Sequence, residues 1–161
     1  MVHLVFPLLS TPWLVGVAGY FAALPFAAVL AKLHQQTGLR RWLGCTDLEL
    51  RLTTAGLVVV VIAIWLTLVI VFGVPASTQV LLAALLAAAA VIRTATRPAI
   101  DYSNVGTTVT PDGNLVPFGL VVQLARGPEV LIIGLLVANA GFEPGLKTLI
   151  CLGIAAFGFA R

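Results

Sequence analysis

The sequence has 161 residues, of which 60% are hydrophobic and 9% charged, with a formal net charge of +3 and a mean hydropathy of +1.10. An ordinary globular domain has about 25% charged residues, and a chain this short cannot bury so much apolar surface in one core. These values exclude a soluble domain, and the basic residues are too dispersed to bind nucleic acid. We therefore expect an integral membrane protein in contact with the lipid bilayer.

Three long apolar segments come first in the chain. Each reaches the roughly 20 residues that a helix needs to cross a bilayer. Thr46 and Glu49 match a capping box that starts the second segment, and Ser77 is a suitable N-cap for the third. We predict spans at about 12–36, 47–72 and 78–96.

The second half of the chain is less regular. Residues 98–114 form a polar loop whose turn signal allows a small β-hairpin, and 115–125 is a short apolar segment. Further helices are predicted at about 128–141 and 145–160, which are short for full spans and can instead pair as a re-entrant hairpin. Alternatively, residues 115–139 form one broken helix.

These segments predict the fold class. The chain should be a single polytopic membrane domain, residues 1–161, that is all-α. It should form a bundle of about five transmembrane or partly re-entrant helices with a short cytoplasmic loop, which is the loop that allows the hairpin.

Charge placement predicts the orientation. Lys32, Arg40, Arg41 and Arg51 flank the first link, Arg93, Arg97 and Arg126 flank the third, and 73–79 carries no charge. Cytoplasmic loops are enriched in Lys and Arg. We therefore expect links one and three in the cytoplasm, the N-terminus outside and the C-terminus inside, in a membrane of the prokaryotic inner or plasma type.

Small residues mark the faces where helices can pack closely, since small side chains let two backbones approach each other in lipid. The third span should be the most enclosed helix because it is rich in alanine. The candidate packing residues are Gly16, Gly19, Ala83, Ala84, Ala87 and Ala88.

Glu129, Asn139 and Glu143 are the candidate ion or substrate pathway. Both carboxylates lie at predicted helix starts, where the helix dipole favours an anion, so capping is the first interpretation. The functional alternative is a cation site between two broken helices, with Asn139 and unwound carbonyls as ligands.

Other polar residues give weaker signals. The loop residues Asp101, Tyr102, Asn104 and Asp112, with nearby arginines, could hold a metal or phosphate, but their spacing matches no known motif and a turn is preferred. The sequence indicates no catalytic residue, no metal site and no cofactor. His3 and His34 are isolated, and Cys45 and Cys151 are expected to be free thiols.

Three functions remain open. The preferred hypothesis is a non-catalytic subunit or assembly factor of a larger membrane complex, with other membrane subunits or further copies of itself as partners. The first alternative is a small homo-oligomeric channel or transporter whose pathway is lined by the helices at 128–141 and 145–160. The second is a membrane-surface enzyme acting on lipid head groups, although the sequence leans against an enzyme.

Overall fold

The computed structural model describes residues 10–35, 38, 44, 46–96, 107–109, 115–117 and 127–160. The described part of the chain is dominated by five helices, as the all-α prediction requires. They are α1 (Thr11–Gln35), α2 (Asp47–Val71), α3 (Thr78–Ala95), α4 (Pro128–Asn139) and α5 (Pro144–Ala160).

The first three helices are long and apolar enough to cross a membrane, over Thr11–Lys32, Leu48–Val71 and Thr78–Ala95. This finding fits an integral membrane protein. The other two helices are shorter, with 12 residues in α4 and 17 in α5. Their short lengths agree with the expectation from the sequence.

Local interactions fix where the long helices begin. The Thr46 hydroxyl accepts from the backbone N–H of Glu49, and the Glu49 carboxylate accepts from the backbone N–H of Thr46, which is the predicted capping box. The Ser77 hydroxyl likewise accepts from the backbone N–H of Val80. At the other end of α2, Gly73 adopts a positive φ of 94°, a conformation that favours glycine.

Helix α3 lies at the centre of the bundle, in contact with all four other helices. In its most apolar window 67% of the residues are buried, against 39% for α1 and 22% for α2. Alanine makes this possible, because side chains that end at Cβ let several backbones approach one helix. The expectation that the third span is the most enclosed of the three is confirmed.

One strand pair lies between α3 and α4. Strands β1 (Thr107–Val109) and β2 (Leu115–Pro117) are antiparallel, with Thr108 opposite Val116. The second strand uses residues that the sequence assigned to the short apolar segment, whose remainder at 118–125 lies outside the described residues. A cytoplasmic location for this region stays a prediction.

Contacts between helices define the two ends of the bundle. Gly16 faces Ala83 and Gly19 faces Ala87, so α1 and α3 run in the same direction. The Ser10 hydroxyl, just before α1, donates to Oδ1 of Asn139 at the end of α4 over 2.8 Å, so α4 runs the opposite way. We name the two ends of the bundle the Ser10 end and the Arg93 end. Ser10 directly precedes α1, and Arg93 lies in the last turn of α3.

Candidate functional site

A partly buried ion pair joins α3 to α4 near the Arg93 end. Nη2 of Arg93 lies 2.7 Å from Oε1 of Glu129, and Nε donates to the same oxygen over 2.8 Å. The Arg93 side chain is 12% exposed and that of Glu129 is 34% exposed. Both charges are thus held at hydrogen-bond distance in a largely enclosed place, where each needs the other.

The same arginine contacts a third helix. Its Cζ lies 4.6 Å from the centroid of the Phe157 ring in α5. A guanidinium over an aromatic face is attracted by the negative potential of the ring, an interaction worth about 0.5–2 kcal/mol. Arg93 therefore ties together the three helices that form one side of the bundle.

The residue after Arg93 extends this arrangement to α1. Thr94 Oγ1 donates to the carbonyl of Ala90 over 2.8 Å and lies 3.1 Å from the Tyr20 hydroxyl. Because the threonine proton is used within α3, the tyrosine is the natural donor of the second bond. We define the polar junction as Tyr20, Arg93, Thr94, Gly127, Glu129 and Phe157, which come from four helices or their ends.

Gly127 lets α4 start against α3. Its φ is 117°, which L side chains rarely adopt, and a Cβ placed there would collide with Oγ1 of Thr94 and lie 3.1 Å from the Ala90 carbonyl oxygen. Only glycine fits this position without a shift. The close approach brings Glu129, two residues later, within reach of Arg93.

The register of the helices places the ion pair inside the bundle, away from its charged rim. Gly16 and Ala83 each lie six residues beyond Ser10 and Ser77, so α1 and α3 are aligned at the Ser10 end. At 1.5 Å per residue, Arg93 is about 24 Å from that end and Lys32 of α1 is about 33 Å from it. Arg93 therefore lies roughly 10 Å deeper than the lysine.

The register of helix α2 gives the same depth for the ion pair relative to the charged rim. Trp65 packs on Gly19, with Nε1 bonded to the carbonyl of Val15 over 3.4 Å, and Arg51 lies about 21 Å further along α2 toward the Arg93 end. Arg93 lies only about 9 Å beyond Ala87, which also faces Gly19. An ionisable pair at such depth in a membrane protein is a candidate functional site.

The structure separates the predicted pathway residues into two groups. Glu129 is in the polar junction, whereas Asn139 lies about 15 Å further along α4, with its Nδ2 donating to the carbonyl of Leu135. Glu143 precedes α5 and is exposed, and its carbonyl accepts from the N–H of Lys147. The two carboxylates thus lie at opposite ends of α4, and ion passage by this route stays a hypothesis.

The candidate packing residues all lie in the interior of the bundle. A Cβ on Gly16 would be 3.2 Å from both Leu135 methyl groups, and one on Gly19 would be 2.9 Å from Trp65 Nε1. Both glycines also face α3 alanines, as described above. The α3 candidates Ala83, Ala84, Ala87 and Ala88 are all buried.

Several candidates fall outside the described residues. These are the loop set with its arginines, Asp101, Tyr102, Asn104, Asp112, Arg97 and Arg126, together with His3, Cys45 and the side chain of His34. The thiol of Cys151 is buried and free, with Sγ 3.7 Å from the carbonyl of Gly134. Across the described ranges, His, Cys, Asp and Glu form no group of three that could hold a metal.

Sequence reasoning found Glu129 but not its partner. Arg93 was placed near the end of the third span, as one of the arginines that flank the third link, and Tyr20, Thr94 and Phe157 carried no signal. The two charged residues are 36 positions apart, and neither spacing nor composition reports a pairing at that separation. A usable signal was the single arginine in the last turn of an alanine-rich helix, since a buried arginine needs an acidic partner.

The fold and the polar junction define a helical membrane protein in which an ion pair within the bundle joins neighbouring helices. The chain belongs to a family of unknown function, DUF6297, whose profile matches residues 2–105. This match covers α1, α2 and α3, while α4 and α5 lie beyond it. Neither the curated proteins nor the solved structures contain a match to the chain.

Proposed function

We propose that this chain is a non-catalytic subunit or assembly factor of a larger membrane complex, and that it meets its partner through α2. The observation that carries this proposal is the exposure of α2, whose most apolar window is only 22% buried. Helix α2 packs mainly on α1 and α3 along one side. The rest of its circumference is available to other transmembrane helices.

The outer face of α2 has a groove against which a second helix can pack. A shallow groove of about 330 Å³ runs along it, lined by Val60, Ala63, Ile64, Thr67 and Leu68. Ala63 keeps the floor of the groove low, and small residues permit the close contacts that hold helices together in lipid. The Thr67 hydroxyl donates to the Ala63 carbonyl over 2.8 Å, so the groove presents no unsatisfied donor to an apolar partner.

The polar junction supports a structural role for the two paired charges. Arg93 and Glu129 bind each other, and the arginine also lies on Phe157. Charges used in this way hold three helices in register, as a scaffold requires. In our proposal the Arg93 end faces the cytoplasm, because Lys32, Arg51 and Arg93 all lie toward it.

The test combines native mass spectrometry after mild-detergent extraction with site-specific photo-crosslinking in native membranes. The crosslinker is placed at Leu68 on α2 and, as a matched control, at Leu149 on α5, which are 47% and 68% exposed. We expect a stoichiometric unrelated membrane protein that crosslinks from Leu68 and not from Leu149. A pure homo-oligomer would overturn the proposal in favour of a channel, to be tested by flux through Glu129→Ala and Glu143→Ala variants.

Orientation has a separate test. A single cysteine introduced as Ser77→Cys should react with a membrane-impermeant thiol reagent added to intact cells, because Ser77 is at the Ser10 end. Labelling only after the cytoplasmic side is opened would reverse the proposed orientation without affecting the subunit proposal.

A further inference from the structure

The described helices have different apolar lengths on the two sides of the bundle. On the α1–α2 side, the charged residues Lys32 and Arg51 mark an edge more than 30 Å from the Ser10 end, by a rise of 1.5 Å per residue. On the α3–α4 side, the first charged residues are Arg93 and Glu129, at about 24 Å or less. Because the two sides are aligned at the Ser10 end, the whole difference falls at the Arg93 end.

A flat bilayer cannot match both sides. The hydrocarbon layer is about 30 Å thick, which fits α1 and α2, whereas the 12 residues of α4 rise only about 18 Å. A span shorter than the local hydrocarbon is accommodated when the bilayer becomes thinner or flanking residues extend toward the interface. The mismatch is on one side only, so the adjustment must be local.

The accessible surface of the ion pair indicates which adjustment occurs. The Glu129 side chain is about one-third exposed, and the N-cap residue of α4, Gly127, offers no side chain to the N–H of Glu129 in the first turn. A partly exposed acidic side chain at an uncapped helix start is unfavourable in hydrocarbon and favourable beside water or phosphate. The outer face of α4 directly below, at Ile132, Ile133 and Leu136, is apolar and exposed.

From these observations we infer that the bilayer is thinned along α3 and α4, and that lipid headgroups with their water descend to the Arg93–Glu129 pair. The partner of this surface is an ordinary phospholipid leaflet, drawn down by roughly 10 Å relative to its level beside α1 and α2. The chain therefore makes a step in one face of the membrane. This inference is independent of whether α2 binds another subunit.

Two exposed isoleucines at the same height provide the test. Ile64 precedes Trp65, which packs on Gly19, and Ile132 is two residues before Gly134, which packs on Leu86. Because Leu86 precedes Ala87, the residue that faces Gly19, a rise of 1.5 Å per residue puts the two isoleucines at about the same height. Their exposures of 57% and 48% are also similar.

The experiment places a spin label at Ile64→Cys or Ile132→Cys in the full chain. Native cysteines are replaced by alanine, and the protein is reconstituted in phosphatidylcholine–phosphatidylglycerol vesicles. Accessibility to oxygen and to a water-soluble nickel chelate gives the depth of each label. We expect the Ile132 label to lie about 5–10 Å nearer the headgroups than the Ile64 label, with several-fold greater access to nickel. In bilayers with 14-carbon chains the difference should shrink, because the short side is then already matched.

Equal depths for the two labels would overturn the inference. So would an Ile132 label shielded from both reagents, since that result would mean that protein covers this face. The double variant Arg93→Leu/Glu129→Leu should move the Ile132 label deeper and leave the Ile64 label unchanged. If that variant fails to fold, the comparison of the two labels in the otherwise native chain still decides the question.

Discussion

Removing one charge of the polar junction should lower stability by an amount that depends on which charge is removed. Glu129→Leu removes the anion from Arg93, whose side chain is 12% exposed, whereas Arg93→Leu leaves Glu129, whose side chain is 34% exposed. Removing one partner of a fully buried pair costs about 3–5 kcal/mol, because an uncompensated charge remains, and this value is an upper bound for a pair that is only partly buried. We expect Glu129→Leu to cost more than Arg93→Leu, since the more exposed glutamate side chain can be hydrated when its partner is lost.

The double variant Arg93→Leu/Glu129→Leu separates charge coupling from simple loss of contacts. Replacing both charges with leucine removes the ion pair and also the unpaired charges, so its effect should be far smaller than the sum of the single effects. Loss of the ring contact with Phe157 should leave a residual cost of about 0.5–2 kcal/mol. The coupling free energy of the cycle should therefore be several kcal/mol, which is large for contacting residues.

Reversible unfolding in mixed detergent micelles provides the assay, with circular dichroism as the readout for each of the four proteins. A Phe157→Leu variant is the matched control, because it removes the ring while it keeps both charges. If the single effects simply add in the double variant, the pair is not coupled and the argument fails. A greater loss in Arg93→Leu than in Glu129→Leu would refute the assignment of burial to the arginine.

Three further predictions concern packing and caps, all measured by the same unfolding assay. Gly134→Ala should destabilise the protein by about 1–3 kcal/mol, because the added Cβ would collide with Leu86 of α3. The control Gly153→Ala adds a Cβ that meets nothing within 4 Å, so it should be neutral or stabilising. Equal effects of the two substitutions would contradict the packing. Thr46→Ala should cost about 0.5–2 kcal/mol through loss of the capping box, and the exposed Thr53→Ala should cost less. Gly127→Ala should cost at least about 1 kcal/mol, and wild-type stability would rule out the strained φ.

Structural features that depend on residues within one helix could be predicted from the sequence. The capping residues Thr46 and Ser77 fixed two helix starts, and apolar length fixed the first three helices to within a residue or two. The alanine content of the third segment correctly predicted that it is more enclosed than the other two long helices. Each of these conclusions depends on residues within a single helix, where spacing along the sequence determines spacing in the structure.

The polar junction could not be read in the same way, because it depends on the register between helices. Arg93, Glu129 and Phe157 come from three helices, and a shift of one turn in α4 would move its residues by about 5 Å along the bundle. That register is set by Gly134 against Leu86 and by Gly127 against Thr94. Sequence shows that these glycines exist but not which neighbour they meet.

The polar junction joins residues from inside and from outside the part of the chain that matches the family. Arg93 lies within residues 2–105, which match the family, whereas Glu129 and Phe157 lie beyond them. The α3 face that carries Arg93 is therefore covered by helices from outside the matched part. An arginine 12% exposed among alanines is unfavourable without an anion. In this chain α4 supplies that anion, Glu129, and α5 supplies the aromatic ring of Phe157.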